Sequence, residues 1–263
     1  MAHGRLRRMT HSRTGRALAA VATGLVLAVS AGAAAAAEVV DIALVLAADV
    51  SRSVDEEEFN LQRQGYANAF TRPAVLKAIQ AGAHHGIAVT FVEWSGASEQ
   101  QVVADWTVIR DGESGAVFAS TILAPSRSFA GFTSISGAID FAVKRLAASG
   151  VEATRRIIDI SGDGTNNAGR PVTAARDEAV ARGITINGLA IINLHPNPGY
   201  FAHTQPPGGL PLYYQQNVIG GPASFLLVIE DFSTFGEAIV NKLVGEIAGT
   251  PPVTGRTAAA AAK

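Results

Sequence analysis

Val39-Val40-Asp41-Ile42-Ala43-Leu44-Val45-Leu46-Ala47-Ala48, running straight into Asp49-Val50-Ser51-Arg52-Ser53, is the stretch that decides the fold. It is short, rich in β-branched and aliphatic residues, and breaks off sharply into polar ones. Such a run reads as a buried strand rather than a helix, because a strand covered on both faces needs apolar side chains at successive positions. Its end carries a carboxylate at Asp49 and hydroxyls at Ser51 and Ser53. Two later motifs also bear oxygen at strand ends or helix starts: Gly131-Phe132-Thr133-Ser134 and Ser161-Gly162-Asp163-Gly164. Three such motifs predict one oxygen-lined cleft that holds a hard divalent cation, since these ions take carboxylate, hydroxyl, carbonyl and water oxygens.

Outward from that stretch, apolar runs alternate with helical patterns. Residues 55–70 read as a helix: Phe59, Tyr66 and Phe70 share a face. Asp55, Glu56, Glu57 and Glu58 place negative charge in its first turn, where the helix dipole favours it. Pro73 ends that helix, and 75–81 form a second short one. Residues 87–94 are a strand. Residues 101–109 alternate (Val103, Trp106, Val108) and predict a third, at an antiparallel edge. Helices follow over 115–123 and 133–148, the latter with Ile135, Ile139, Val143 and Leu146 at helical spacing. Strands at 155–160, 184–192 and 225–230 interleave with a helix at 172–182, closed by Gly183. A last helix spans 233–247, with Phe235, Ile239, Leu243 and Ile247 as its stripe. Strand–helix alternation of this kind predicts an α/β fold: an open, doubly wound, mostly parallel sheet with helices on both faces. Ligands of such sheets bind beyond the carboxyl ends of the strands, where all three oxygen-bearing motifs fall.

The flanks bound the remaining possibilities. Residues 1–37 carry five arginines and no acid, then an apolar stretch over 17–29 and small residues at Ala33, Ala35 and Ala37. That is the pattern of a secretory signal peptide, with an apolar stretch too short for a comfortable membrane span. Its removal takes the formal charge from −1 to −6. A mildly acidic surface without a basic stripe argues against nucleic acid and anionic membrane as partners. The chain has no cysteine, which excludes disulfides, thiolate zinc sites and thiol catalysis. Residues 249–263 read as a disordered tail, leaving 38–248 as the folded domain, destined for the periplasm or the exterior. Residues 193–223 form a long stretch of little periodicity, rich in Pro and Gly, with Tyr200, Phe201, Tyr213 and Tyr214. Loops this long are usually functional or disordered. These four aromatics are expected to shape the rim around the cation and select a partner. His195 and His203 in the same stretch have no zinc-helix spacing.

Asp49 and Asp163 offer charged oxygens to a cation; Ser51, Ser53 and Thr133 offer neutral ones. Two carboxylates and three hydroxyls leave at least one position in an octahedral shell for a partner's oxygen. Each residue also has a structural reading: Asp49, Ser51 and Ser53 as turn or helix caps, Thr133 or Ser134 as an N-cap, Asp163-Gly164 as a turn. It is their joint placement that favours the cation.

On these motifs the chain resembles the von Willebrand factor A domains over residues 39–248. That family has an Asp-x-Ser-x-Ser motif after its first strand, a distant Thr and a later Asp-Gly. Asp49, Ser51 and Ser53, then Thr133, then Asp163 match them. Residues 162–167 (Gly-Asp-Gly-Thr-Asn-Asn) and 213–222 are similar to a subgroup of exported bacterial A-like proteins. The resemblance implies a Rossmann-like six-stranded sheet flanked by helices and a metal-ion-dependent adhesion site. It implies Mg2+ (or Mn2+ or Ca2+) as cofactor and a protein ligand, held through an acidic side chain rather than turned over. It also implies that the two serines and the threonine contact the ion, the aspartates often acting through water. The long stretch after Ile192 departs from the family.

Residues 162–167 are also similar to the last motif of haloacid-dehalogenase-like phosphatases, an enzymatic alternative. Asp49 would then be the nucleophile, Thr133 a phosphate ligand, and Lys144 or Lys242 a charge stabiliser. The general acid of that family stands two residues after the nucleophile. Here that position is Ser51, whose hydroxyl does not titrate usefully near neutral pH. No Gly-x-Ser-x-Gly elbow, phosphate-binding lysine loop or dinucleotide fingerprint is present.

Overall fold

The computed structural model of the protein describes residues 1, 3, 37–192 and 206–250. The leader expected over 1–37 lies almost wholly outside the described residues. So do Tyr200, Phe201, His195, His203 and all but the first two positions of the tail. The chain divides after Ala36 into two units, and the second carries the fold. Its strands are β1 (Glu38–Asp49), β2 (Ile87–Trp94), β3 (Gln100–Ile109), β4 (Val151–Gly162), β5 (Ile184–Ile191) and β6 (Leu226–Ile229). Its helices are α1 (Glu56–Ala69), α2 (Pro73–Gln80), α3 (Gly112–Leu123), α4 (Ile135–Ala147), α5 (Val172–Ala181), α6 (Gly209–Tyr213) and α7 (Phe235–Ala248).

The six strands lie in the order β3-β2-β1-β4-β5-β6, with only the β2–β3 pair antiparallel. β1 is central and pairs on both sides, Leu44 with Val89 in β2 and with Ile157 in β4. Its uninterrupted apolar sequence follows from that position. Ile42, Leu44, Leu46 and Ala48 point into one core with α1, α2, α3 and α7. Ala43, Val45 and Ala47 point into a second core with α4 and α5. The edge strand β3 alternates because one of its faces is only partly covered.

The elements expected from sequence are present. The main differences lie in β4, which begins at Val151, and in the stretch 193–223. That stretch is not all loop: 209–213 is α6, and Tyr214–Val218 continues it as a single π-helical turn. The turn is tied down where Ile186 in β5 bridges Gly220. Trp94 is fully buried in the core, and Trp106 lies on the sheet face under α4, with the Arg145 guanidinium 5.9 Å from its ring.

From β1 the chain moves to β2 on one side, and it later returns to β4 on the other. The strand order therefore reverses between β1 and β4, and the crevice beyond their carboxyl ends is where such a fold binds ligands. The register sets Ala48 opposite Ser161. Asp49 thus comes out beside Gly162 and Asp163, though more than a hundred residues separate them.

Candidate metal centre

The loop after β1 is shaped by its own side chain. Asp49 Oδ1 accepts a hydrogen bond from the Ser51 backbone N–H at 2.7 Å, a local turn that Asp forms readily. The turn aims Ser51 and Ser53 inward, Oγ to Oγ 3.1 Å apart. Asp55 then caps α1: it accepts from Glu58 N at 2.9 Å while Glu58 returns to Asp55 N at 2.8 Å.

Two further loops close on this one. Arg52 N donates to Gly131 O at 3.0 Å, which brings Thr133 alongside. Thr133 Oγ1 donates to Ser51 Oγ at 3.2 Å, and Ser53 Oγ donates to Asp163 Oδ1 at 2.7 Å. The three hydroxyls and the Asp163 carboxylate thus form one hydrogen-bonded chain across three loops. Thr133 is fastened to the Asp163 loop by its backbone: its N–H donates to Asn167 Oδ1 at 2.9 Å and its C=O accepts from Asn167 N at 2.8 Å. Ser134 is the N-cap of α4, accepting from Gly137 N at 3.2 Å. All five residues predicted for the cation, Asp49, Ser51, Ser53, Thr133 and Asp163, are brought together.

The donor set fits a hard cation. Asp49 is fully buried, and its Oδ2 has no hydrogen-bond partner among the described residues. Burial, followed by the charge of Asp163, pushes the Asp49 carboxyl up to about 8. Two adjacent buried carboxylates resist being charged together, and a divalent cation removes that cost. Gly162 leaves the room: a Cβ there would lie 3.0 Å from Asp49 Oδ2. Among the described residues no cluster of three or more His, Cys, Asp or Glu forms a site. What ligation this centre offers is therefore hydroxyl and carboxylate oxygen, suited to Mg2+, Ca2+ or Mn2+. Ser51, Ser53 and Thr133 would hold such an ion with the two aspartates, and the ion would supply Lewis acidity toward an incoming anionic oxygen.

Two supports were not read from the sequence. Arg127 Nη2 donates to Val50 O and Ser51 O, both at 2.8 Å, while Gln62 Nε2 donates to Asp49 O at 2.9 Å. Both act on backbone carbonyls, contacts that leave no motif.

The expected aromatic rim is corrected at Tyr214, while Tyr200 and Phe201 lie outside the described residues. Tyr214 is fully buried and faces no solvent. Tyr213 is half-buried, and its hydroxyl accepts from Asn166 N at 3.1 Å, so it props the Asp163 loop from behind. The reason is helical: Tyr213 ends α6 and Tyr214 opens the π-helical turn, so the two side chains leave the backbone in different directions, Tyr214 into the second core and Tyr213 toward the Asp163 loop. Among the described residues, the exposed aromatic next to the centre is Phe132, 66 % exposed. Neither lysine of the phosphatase alternative is here. Lys242 is fully buried with its Nζ 2.6 Å from Asp159 Oδ1 and 2.5 Å from Glu246 Oε1. Lys144 is in the last turn of α4, at the opposite end from Ser134.

No curated protein matches the chain in sequence. Solved structures resemble it in fold. Proximal thread matrix protein 1 from the mussel byssus, solved with a zinc-occupied MIDAS motif, has a TM-score of 0.58 at 14 % identity, covering 81 % of this chain and 49 % of that one. A von Willebrand factor type A protein from Catenulispora acidiphila has a TM-score of 0.53 at 14 % identity, over 80 % of this chain and 42 % of that one. The pilus adhesin SpaC from Lactobacillus rhamnosus GG has a TM-score of 0.55 at 13 % identity, over 80 % and 31 %. The chain spans less than half the length of each of these. The architecture is von Willebrand factor A-like. By the family model that matches residues 38–251, the chain belongs to the family described as a protein of unknown function, DUF1194.

Proposed function

We propose that the protein is exported and binds another protein through a divalent cation, Mg2+ in the first place, held by Asp49, Ser51, Ser53, Thr133 and Asp163. The observation that carries this reading is the convergence of five oxygen-bearing side chains from three loops, each within 3.2 Å of the next through the hydroxyl chain or the Asp49 turn, at the sheet's switch point. The A-type fold, seen also in an adhesin and in a matrix protein, supports a binding role rather than a catalytic one. A cation liganded largely by neutral hydroxyls keeps most of its charge and attracts a carboxylate from the partner. Exposed Phe132 and Arg52 beside the centre add apolar and cationic contacts to an acidic segment. Export rests on the leader, and among the described residues no helix is long and apolar enough to cross a membrane.

Calorimetry with Mg2+, Mn2+ and Ca2+ tests the cation, and Ser53→Ala should abolish the heat. Binding to native envelope proteins, with and without chelator, tests the partner. Retention of the same partner in chelator, or by Ser53→Ala, would sink the adhesion reading.

A further inference from the structure

Tyr214 cannot touch a partner, yet its hydroxyl ends beside the cation centre. The ring packs in the second core against Gly188, where an added Cβ would meet its Cδ1 at 3.1 Å. The hydroxyl has no hydrogen-bond partner among the described residues, and neither has Asp49 Oδ2. Buried polar atoms left unsatisfied are costly and rare, and two side by side call for one explanation. The two oxygens converge. A Cβ on Gly162 would lie 2.7 Å from Tyr214 Oη and 3.0 Å from Asp49 Oδ2, so both flank the same bare Cα and only glycine leaves them that space. The charges of Asp49 and Asp163 add to burial in holding the phenol well above its ordinary range, so the proton stays on the hydroxyl. The residue opens the π-helical turn, a feature that recurs at functional sites.

We propose that Tyr214 is a positioning residue of the cation centre: its hydroxyl donates to Asp49 Oδ2 across one water, and so fixes the carboxylate in the orientation that serves the ion. The proposal rests on the cation reading above. Ligating groups need outer partners to orient them, and loss of such a partner weakens metal binding by about 10–100-fold. Tyr214 supplies that donor from beneath the site, where the sequence motif of the centre has no position.

Tyr214→Phe keeps the ring and removes only the hydroxyl. Mg2+ and Mn2+ binding by calorimetry should weaken by about 10–100-fold, while the thermal midpoint in chelator stays nearly level, because the buried ring and its packing are kept. Saturating Mg2+ should also produce a tyrosine ultraviolet difference signal in the wild type that the variant lacks. Equal affinity in the two proteins overturns the proposal, with or without a change in midpoint. So does a weakened variant that still shows the full difference signal. If the wild type itself binds no cation, the reading of the centre falls with it; if the wild type binds and the variant matches it, only the role of Tyr214 falls.

Discussion

At the scale of single residues, the two oxygens of Asp49 have different duties. Oδ1 builds the turn that aims the serines, and Oδ2 is buried with no hydrogen-bond partner among the described residues. The carboxyl pushed up to about 8 has a definite sign for stability. Between its unfolded value near 4 and about 8, the folded protein holds a proton that the unfolded chain has released. Cation-free stability therefore falls as pH rises through this window. Asp159, raised to about 7 by burial and by Glu246, adds in the same direction. Urea denaturation in chelator should show the decline, and Asp49→Asn should make it shallower while abolishing cation binding. Cation affinity should run the opposite way, rising with pH as the proton is displaced; calorimetry at pH 6 and pH 8 checks it. The five side chains that converge were legible in the sequence because they stand out as oxygen-bearing motifs at strand ends and helix starts. Tyr214 was misread as a rim residue because its type says nothing of which way the backbone turns it.

At the scale of elements, caps and clamps hold the three loops. The Asp55–Glu58 capping box starts α1 two residues after Ser53. Asp55→Ala should cost about 1 kcal/mol in chemical denaturation. Arg127 joins the 124–132 loop to the β1 loop and rests on the Phe59 ring at 5.5 Å. Arg127→Ala should lower stability by about 1–3 kcal/mol, since it strands the Val50 carbonyl beneath the site and leaves Ser51 O only the bond from Val54 N. Helix α1 could be read in advance from its acidic start and apolar face. Helix α6 could not: Pro211 and the Gly208-Gly209 pair resemble loop. The proline, however, lies in the first turn, where its missing N–H would have no partner anyway.

At the scale of the whole molecule, the sheet is anchored at two levels. The cation centre lies at the carboxyl ends of β1 and β4, while Lys242 bridges Asp159 in β4 and Glu246 in α7 within the interior. Lys242→Met leaves two buried carboxylates facing each other and should cost about 3–5 kcal/mol by urea denaturation, with or without cation. The centre itself should respond only to its ligand. Mg2+ at a hundred times its Kd should stabilise the wild type by about 2.7 kcal/mol and Ser53→Ala not at all. Those two responses separate the fold's own support from that of the site.

The sequence by itself determined the class of fold, nearly every strand and helix, and which oxygen-bearing side chains end the strands, because periodicity and oxygen-bearing strand ends are local properties of the chain. Only the tertiary structure decided the strand order and the register of Ala48 against Ser161. It alone showed which tyrosine lies under Asp49 and which under Asn166. These depend on how distant segments pack against one another, and a buried hydroxyl looks the same in a sequence whether it faces a carboxylate or water.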